Sequence, residues 1–166
     1  MALRAAAVAG CVVLVDQLTK LWVVAALPFG AERDIVPGLV RLVHTRNRGI
    51  AFGLLGNAGP MVHTLLLLAV VVTVAVLVHQ LRRSHGEGFA WLGLALVLGG
   101  AVGNLVDRLA RGEVVDFLDL FLRSAGRELH WPAFNVADAA ITVGVGVIVL
   151  AELVGGRGDG RASSAR

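Results

Sequence analysis

A transmembrane helix needs about 20 apolar residues in a row, and four segments of this chain reach that length: about 5–27, 61–81, 89–107 and 133–155. The second, MVHTLLLLAVVVTVAVLVHQL, is apolar on every side and reads as a plain span. The third, FAWLGLALVLGGAVGNLVDRL, ends in polar residues and carries Gly99 and Gly103 in a small-xxx-small pattern that permits close helix contact. The connections are unequal. LRRSHGEG at 81–88 is a short polar turn, whereas residues 28–60 and 108–132 form two long loops that an even number of spans places on the opposite face. Inside those loops DIVPGLVRLVHT and EVVDFLDLFL alternate apolar and polar residues, which predicts short strands or an interfacial amphipathic piece. The tail GGRGDGRASSAR lacks apolar residues and reads as disordered.

Composition agrees with the pattern. The chain is 57% hydrophobic and 16% charged, against about 25% charged in a typical soluble domain. One small soluble core cannot hide that excess. The formal charge of +3 comes from loops between apolar spans, so anionic phospholipid headgroups are the expected partner and nucleic acid is not. The short turn, the N-terminus and the tail hold six Arg and the long loops eight, but the eight are spread over more than twice as many residues. Arg density therefore puts both termini in the cytoplasm. The expected fold is an all-α membrane protein of four transmembrane helices with a small extracytoplasmic β/loop element. It forms one domain over 1–155, followed by a disordered cytoplasmic tail at 156–166.

Cys11 is the single cysteine, so no disulfide forms within one chain. AVAGC at 7–11 looks like a lipid-modification box, but too few apolar residues precede it and the apolar run continues to Leu27, so the first span reads as a retained helix. The five His are scattered, and no metal or other cofactor is expected.

Polar residues inside the spans carry the functional signal. The first span holds DQLTK, where Asp16 and Lys20 lie four apart on one face and can pair with each other. The third ends in GNLVDR with Asn104, Asp107 and Arg108, and the fourth begins FNVAD with Asn135 and Asp138. An ionisable residue inside a span costs about 2.5–3.5 kcal/mol on insertion scales and is a functional candidate. Buried networks that only fix helix packing are the competing account, and it suits Asp16, Lys20 and Asp107 best. No Lys or Arg lies within a turn of Asp138. Asp116, in the loop before the fourth span, lies at the same membrane face and can reach it. Two carboxylates held close do not both ionise easily, so one acts as acid and the other as base on a water. No Ser–Lys or Ser–His pair at helical spacing competes.

DQLTK, NRGIAFG, GGAVGNLVDR, VVDF and FNVADA, in that order over residues 12–150, resemble the lipoprotein signal peptidases (signal peptidase II). The resemblance implies a four-helix aspartyl endopeptidase of the bacterial inner membrane, with both termini cytoplasmic and the active site near the extracytoplasmic face; the chain is expected to act as a monomer. Its substrates would be prolipoproteins, cut before a diacylglyceryl-modified cysteine. It places the catalytic pair on Asp116 and Asp138 and substrate contacts on Asn47, Asn104, Arg108 and Asn135. Asp16 and Lys20 fall at mainly structural positions. Ala139, Ile50 and the stretch LFLRSAGREL depart from the family pattern.

Other readings remain open from the residues alone. Intramembrane carboxylates also build proton or ion paths, which would distribute them through the membrane. GRGD at 156–159 resembles the GxGD of another aspartyl protease class but lies in the tail. NRGIAFGLLGNAG is rich in glycine, with Phe52 and Leu54–Leu55 on an apolar side, and reads either as a lid over substrate or as a connector.

Overall fold

The computed structural model describes residues 1–49, 59–83, 89–124 and 126–159. Of the lid proposed at 47–59, residues 50–58, Phe52 among them, lie outside the described residues. Eight elements follow in order: α1 (Ala2–Ala26), β1 (Glu32–Val36), β2 (Val40–Asn47), α2 (Pro60–Arg83), α3 (Ala90–Arg111), β3 (Val114–Ser124), β4 (Arg127–His130) and α4 (Val136–Asp159). All four helices are long and apolar enough to cross a membrane. The strands form one antiparallel sheet in the order β1-β2-β3-β4.

Local sequence sets the element ends. Leu27 leaves α1 with φ −127° and ψ 121°, the extended conformation that the following Pro28 demands. Val36-Pro37-Gly38-Leu39 closes the first hairpin, with Leu39 N–H bonded to the Val36 carbonyl at 3.0 Å. Proline presets the second position of such a turn, and Gly38 at φ 80° supplies the left-handed third. Helix α3 runs through its polar end to Arg111, four residues beyond the expected 107, and stops on Gly112 at φ 75°.

The strand expected in EVVDFLDLFL forms as β3 over Val114–Ser124, and it carries Asp116 opposite Thr45 of β2. Two expectations need correction. The fourth helix starts at Val136 rather than 133, because Phe134 pairs with Leu118 of β3 through backbone bonds of 2.8 and 2.9 Å. Apolar composition at 133–134 therefore marked a bridge strand, not a helix. At the other end α4 continues to Asp159, so the tail does not begin at 156, and residues 160–166 lie outside the described set.

Glycines let α3 sit at the centre of the bundle. Gly99 faces Ala9 and Val12 of α1, and Gly103 faces Asp16, as the small-xxx-small pattern implies. Gly93 and Gly100 face α4 instead, where Gly144 and Ala137 approach. A Cβ on Gly100 would collide with the Ala137 carbonyl oxygen, one residue before Asp138. Gly100→Ala should therefore cost about 1–3 kcal/mol by overpacking, and it should push α4 outward. Gly10 has nothing within 4 Å of a built Cβ, so Gly10→Ala should be neutral or stabilising by up to about 1 kcal/mol. Thermal unfolding of both variants in detergent checks the contrast; equal melting would show that α3 and α4 are not packed this closely.

A small core of Val23, Leu42 and Phe117, with Leu27, Leu118 and Val136 against it, ties the end of α1 to the sheet and to the start of α4. That junction also holds Asn135, Asp116 and Asp138.

Candidate active site

The site lies where β3 passes the first turn of α4. Phe134 is stitched to β3, so Asn135 arrives beside Asp116, and its Nδ2 donates to Asp116 Oδ1 at 2.7 Å. Asn135 also caps the helix. Its Oδ1 accepts the Asp138 N–H at 3.0 Å, while Asp138 Oδ2 accepts the Asn135 N–H at 3.3 Å. This is a reciprocal capping box, with Asn and Asp in the roles usually taken by Ser/Thr and Glu. The Asn-x-x-Asp at the start of α4 thus holds its own carboxylate in a fixed place.

Asn104, from the last turns of α3, donates through Nδ2 to Asp138 Oδ1 at 2.8 Å. Both oxygens of Asp138 therefore accept hydrogen bonds. Asn47, at the end of β2, bonds its side chain to Asp116, and its Oδ1 accepts the Gly49 N–H at 2.9 Å. Arg108 donates to the Asn104 carbonyl at 3.2 Å and to the Gly49 carbonyl at 2.9 Å, pinning the chain that leaves β2. The six residues expected to carry catalysis or substrate contacts are therefore together.

Beneath them lies a second cluster, fully buried. Lys20 Nζ bonds Asp16 Oδ2 at 2.8 Å, Asp107 Oδ2 at 2.9 Å and Asn104 Oδ1 at 3.0 Å. The self-contained Asp16–Lys20 pair expected from spacing is thus one side of a four-residue network. Asp16 Oδ1 also accepts the Ala137 N–H at 2.9 Å, and Asp107 accepts the Val115 N–H at 3.2 Å. One carboxylate holds the chain before Asp138 and the other holds the chain before Asp116. Sequence reading left Gln17 and Arg111 without a role. Gln17 bonds Asp16, Asp107 and the Gly103 carbonyl, and Arg111 bonds Asp107. Gln17 lies next to Asp16 and three before Lys20, so a helical-face reading of DQLTK would have found it.

A groove of about 610 Å³ opens over the two aspartates. Asn47, Asp116 and Asp138 line its polar end, and Leu120, Trp131 and Phe134 form an apolar wall. It continues along Ile141, Thr142 and Val143 on α4, where Val143 is exposed on the side that lipid would face.

Burial pushes the Asp116 carboxyl up to about 7, and the Asp138 charge adds to the push. Hydrogen bonds from Asn135 and Asn47 and the Lys20 charge oppose it. A raised folded-state pKa contributes stability that is fully present below the unfolded value of about 3.9 and is lost as pH rises through the folded one. Between those limits the loss is about 4 kcal/mol at 1.36 kcal/mol per unit. Asp116→Asn has no proton to lose there. Its melting temperature should match the native chain near pH 4 and exceed it at pH 8; a variant less stable at pH 8 would show that the charged form is favoured in the fold.

A family profile described as Signal peptidase (SPase) II matches residues 8–154. The chain is 44% identical over 152 residues to a "Lipoprotein signal peptidase" of Paraburkholderia phytofirmans, covering 92% of this chain and 86% of that protein. It is 43% identical over 145 residues to one of Syntrophotalea carbinolica, covering 87% and 88%. Its fold matches a bacterial membrane enzyme solved by the in meso method at 2.3 Å with a TM-score of 0.79 and 28% identity, over 98% of this chain and 93% of that one. A second such structure, at 1.9 Å, matches with a TM-score of 0.75 and 30% identity, over 90% and 92%. With a matching profile over most of its length and relatives above 40% identity, the chain belongs to the signal peptidase II family of membrane proteases.

Proposed function

We propose that this protein removes signal peptides from diacylglyceryl-modified prolipoproteins, cutting before the lipidated cysteine, with Asp116 and Asp138 as its catalytic pair. The observation that carries the reading is the meeting of β3 and α4 at Asn135. It brings two carboxylates into one hydrogen-bonded site at the mouth of a groove that runs onto the outer side of α4.

Their surroundings divide the roles. Asp138 accepts N–H bonds on both oxygens and serves as base. Asp116 is the more deeply buried, with a carboxyl pushed up to about 7, and holds the proton. A water between them gives its proton to Asp138 as its oxygen adds to the scissile carbonyl carbon. Asp116 protonates the carbonyl oxygen, leaving a neutral gem-diol. Collapse breaks the C–N bond, with the proton on Asp138 passing to the departing amine and a diol proton returning to Asp116. Asn47 and Asn135 hold Asp116, Asn104 holds Asp138, and Arg108 fixes the Gly49 backbone beside the groove.

Both termini lie in the cytoplasm of a bacterial cell and the site lies near the outer face of its inner membrane. The even number of spans and the Arg density around the α2–α3 turn support this placement. The protein works as a monomer among anionic phospholipids. Carboxylates strung through the spans, which an ion path would need, are not favoured. Asp16 and Asp107 are closed by ion pairs, and Asp116 and Asp138 meet at one end of the bundle.

Acyl chains add about 0.8 kcal/mol per buried CH₂, so the lipid supplies much of substrate binding. Purified protein should cleave a diacylglyceryl precursor at least about 100-fold more efficiently than the same peptide unlipidated. Comparable rates on the two would sink the lipid-dependent reading.

A further inference from the structure

Lys20 takes no part in the bond-breaking steps, yet it touches the group that holds Asp138. Its ammonium is 0% exposed, and its three N–H bonds go to Asp16, Asp107 and Asn104. An ammonium can only donate. The atom of Asn104 that faces it must therefore be the carbonyl Oδ1, at 3.0 Å. The amide is planar, so Nδ2 points the other way, to Asp138 Oδ1 at 2.8 Å. Asn135 Nδ2 also reaches Asn104 Oδ1, at 3.2 Å, but it approaches Asp116 more closely, at 2.7 Å. Lys20 is thus the strong lock on the amide.

We propose that Lys20 is a positioning residue for the catalytic pair, fixing the Asn104 amide so that its N–H faces Asp138 and thereby keeping the proton of the pair on Asp116. The inference rests on Asp116 and Asp138 being that pair. Without the ammonium, Asn104 Oδ1 loses its charged donor, and Nδ2 is drawn to the carboxylates that Lys20 had faced. The carbonyl then faces Asp138, a geometry that suits a protonated Asp138 and removes the base. The other charges around Asp138 do not replace the lock. Arg108 from α3 lies within Coulombic reach of Asp138, Asp116 and Asp107, and donates to the backbone carbonyls of Asn104 and Gly49. Asp116 comes from β3, and Asp16 of α1 and Asp107 of α3 are turned to Lys20.

Lys20→Met alone leaves two buried carboxylates and can fail to fold. Lys20→Met with Asp107→Asn removes one charge of each sign, and Asp107→Asn alone is the control, keeping the Lys20–Asn104 contact. All three proteins, native included, are assayed in detergent on a diacylglyceryl precursor peptide across the pH range of activity, with melting as the check on folding. The control should keep the native pH profile. The double variant should melt cooperatively, lose about 10- to 100-fold in kcat/KM, less than the loss of a whole acid or base group, and show a displaced pH profile. A folded double variant with the control's profile overturns the proposal and leaves Lys20 a structural residue. No cleavage by the native protein would instead overturn the catalytic reading itself. If the double variant does not fold, selective ¹⁵N-asparagine labelling of the native protein decides. A single pair of Asn104 amide resonances across that pH range supports the lock, and a second pair growing in as activity changes overturns it.

Discussion

Asp116→Asn and Asp138→Asn should each lower kcat/KM on a lipidated precursor by about 10³-fold or more, because an amide supplies neither the acid nor the base of a shared-proton pair. Both variants should remain folded. Asparagine at 138 can still accept the Asn135 N–H that closes the capping box, and asparagine at 116 can still accept the Asn135 amide. The two should separate in stability at neutral pH. Asp138 sits in the first turn of α4, where its charge meets the positive end of the helix dipole, so its loss should cost about 0.3–1 kcal/mol. Loss of the Asp116 carboxyl should stabilise instead, since burial penalises its charge. Parallel measurement of cleavage and melting checks both halves. Retained activity in either variant would remove that aspartate from the chemistry.

The second large effect concerns the buried cluster. Lys20→Ala leaves Asp16 and Asp107 facing each other without their shared cation, and breaking such a pair costs about 3–5 kcal/mol in soluble proteins. Asp16→Ala should be milder, since Lys20 keeps Asp107 and Asn104. Its main loss is the acceptor for the Ala137 N–H, worth about 1–3 kcal/mol. Joining Asp16→Ala to Lys20→Ala should recover part of the Lys20→Ala defect, because Asp107 retains Arg111. The yield of folded protein from membranes, compared with activity per folded molecule, measures this order. A Lys20→Ala protein recovered at native yield would contradict the network.

What the sequence made visible follows from the range of each interaction. The spans were legible because twenty apolar residues in a row need no partner to be recognised. The polar positions were legible because charge inside a span stands out. Partners distant in the chain were not. Asp16 and Lys20 are one helical turn apart, so their pairing shows locally, but Asp107 and Asn104 join them from α3, far along the chain, and no local pattern announces that. The strand through Asp116 was legible from the alternation in EVVDFLDLFL, but its pairing with Thr45 of β2 was not, because that partner lies far back in the chain. The start of α4 was misplaced because Ala133 and Phe134 are as apolar as the helix after them. Only the bridge between Phe134 and Leu118, a long-range contact, shows that the helix has not yet begun there. Asn-x-x-Asp at 135–138 did carry a helix-start signal in its capping pattern, and taking it as such would have placed the boundary correctly. The same pattern at 104–107 sits at a helix end, turned toward Lys20, so the motif alone does not define the job.

Whether Asp116 and Asp138 deliver a water to the bond before a lipidated cysteine is decided by a single turnover of purified protein with a diacylglyceryl precursor peptide in ¹⁸O-water, the products being weighed by mass spectrometry. One ¹⁸O should enter the new carboxylate of the released signal peptide, and the second product should begin at the lipidated cysteine. A peptide trapped as an ester or thioester on the enzyme, or a cut at another bond, would rule out a water delivered by the pair.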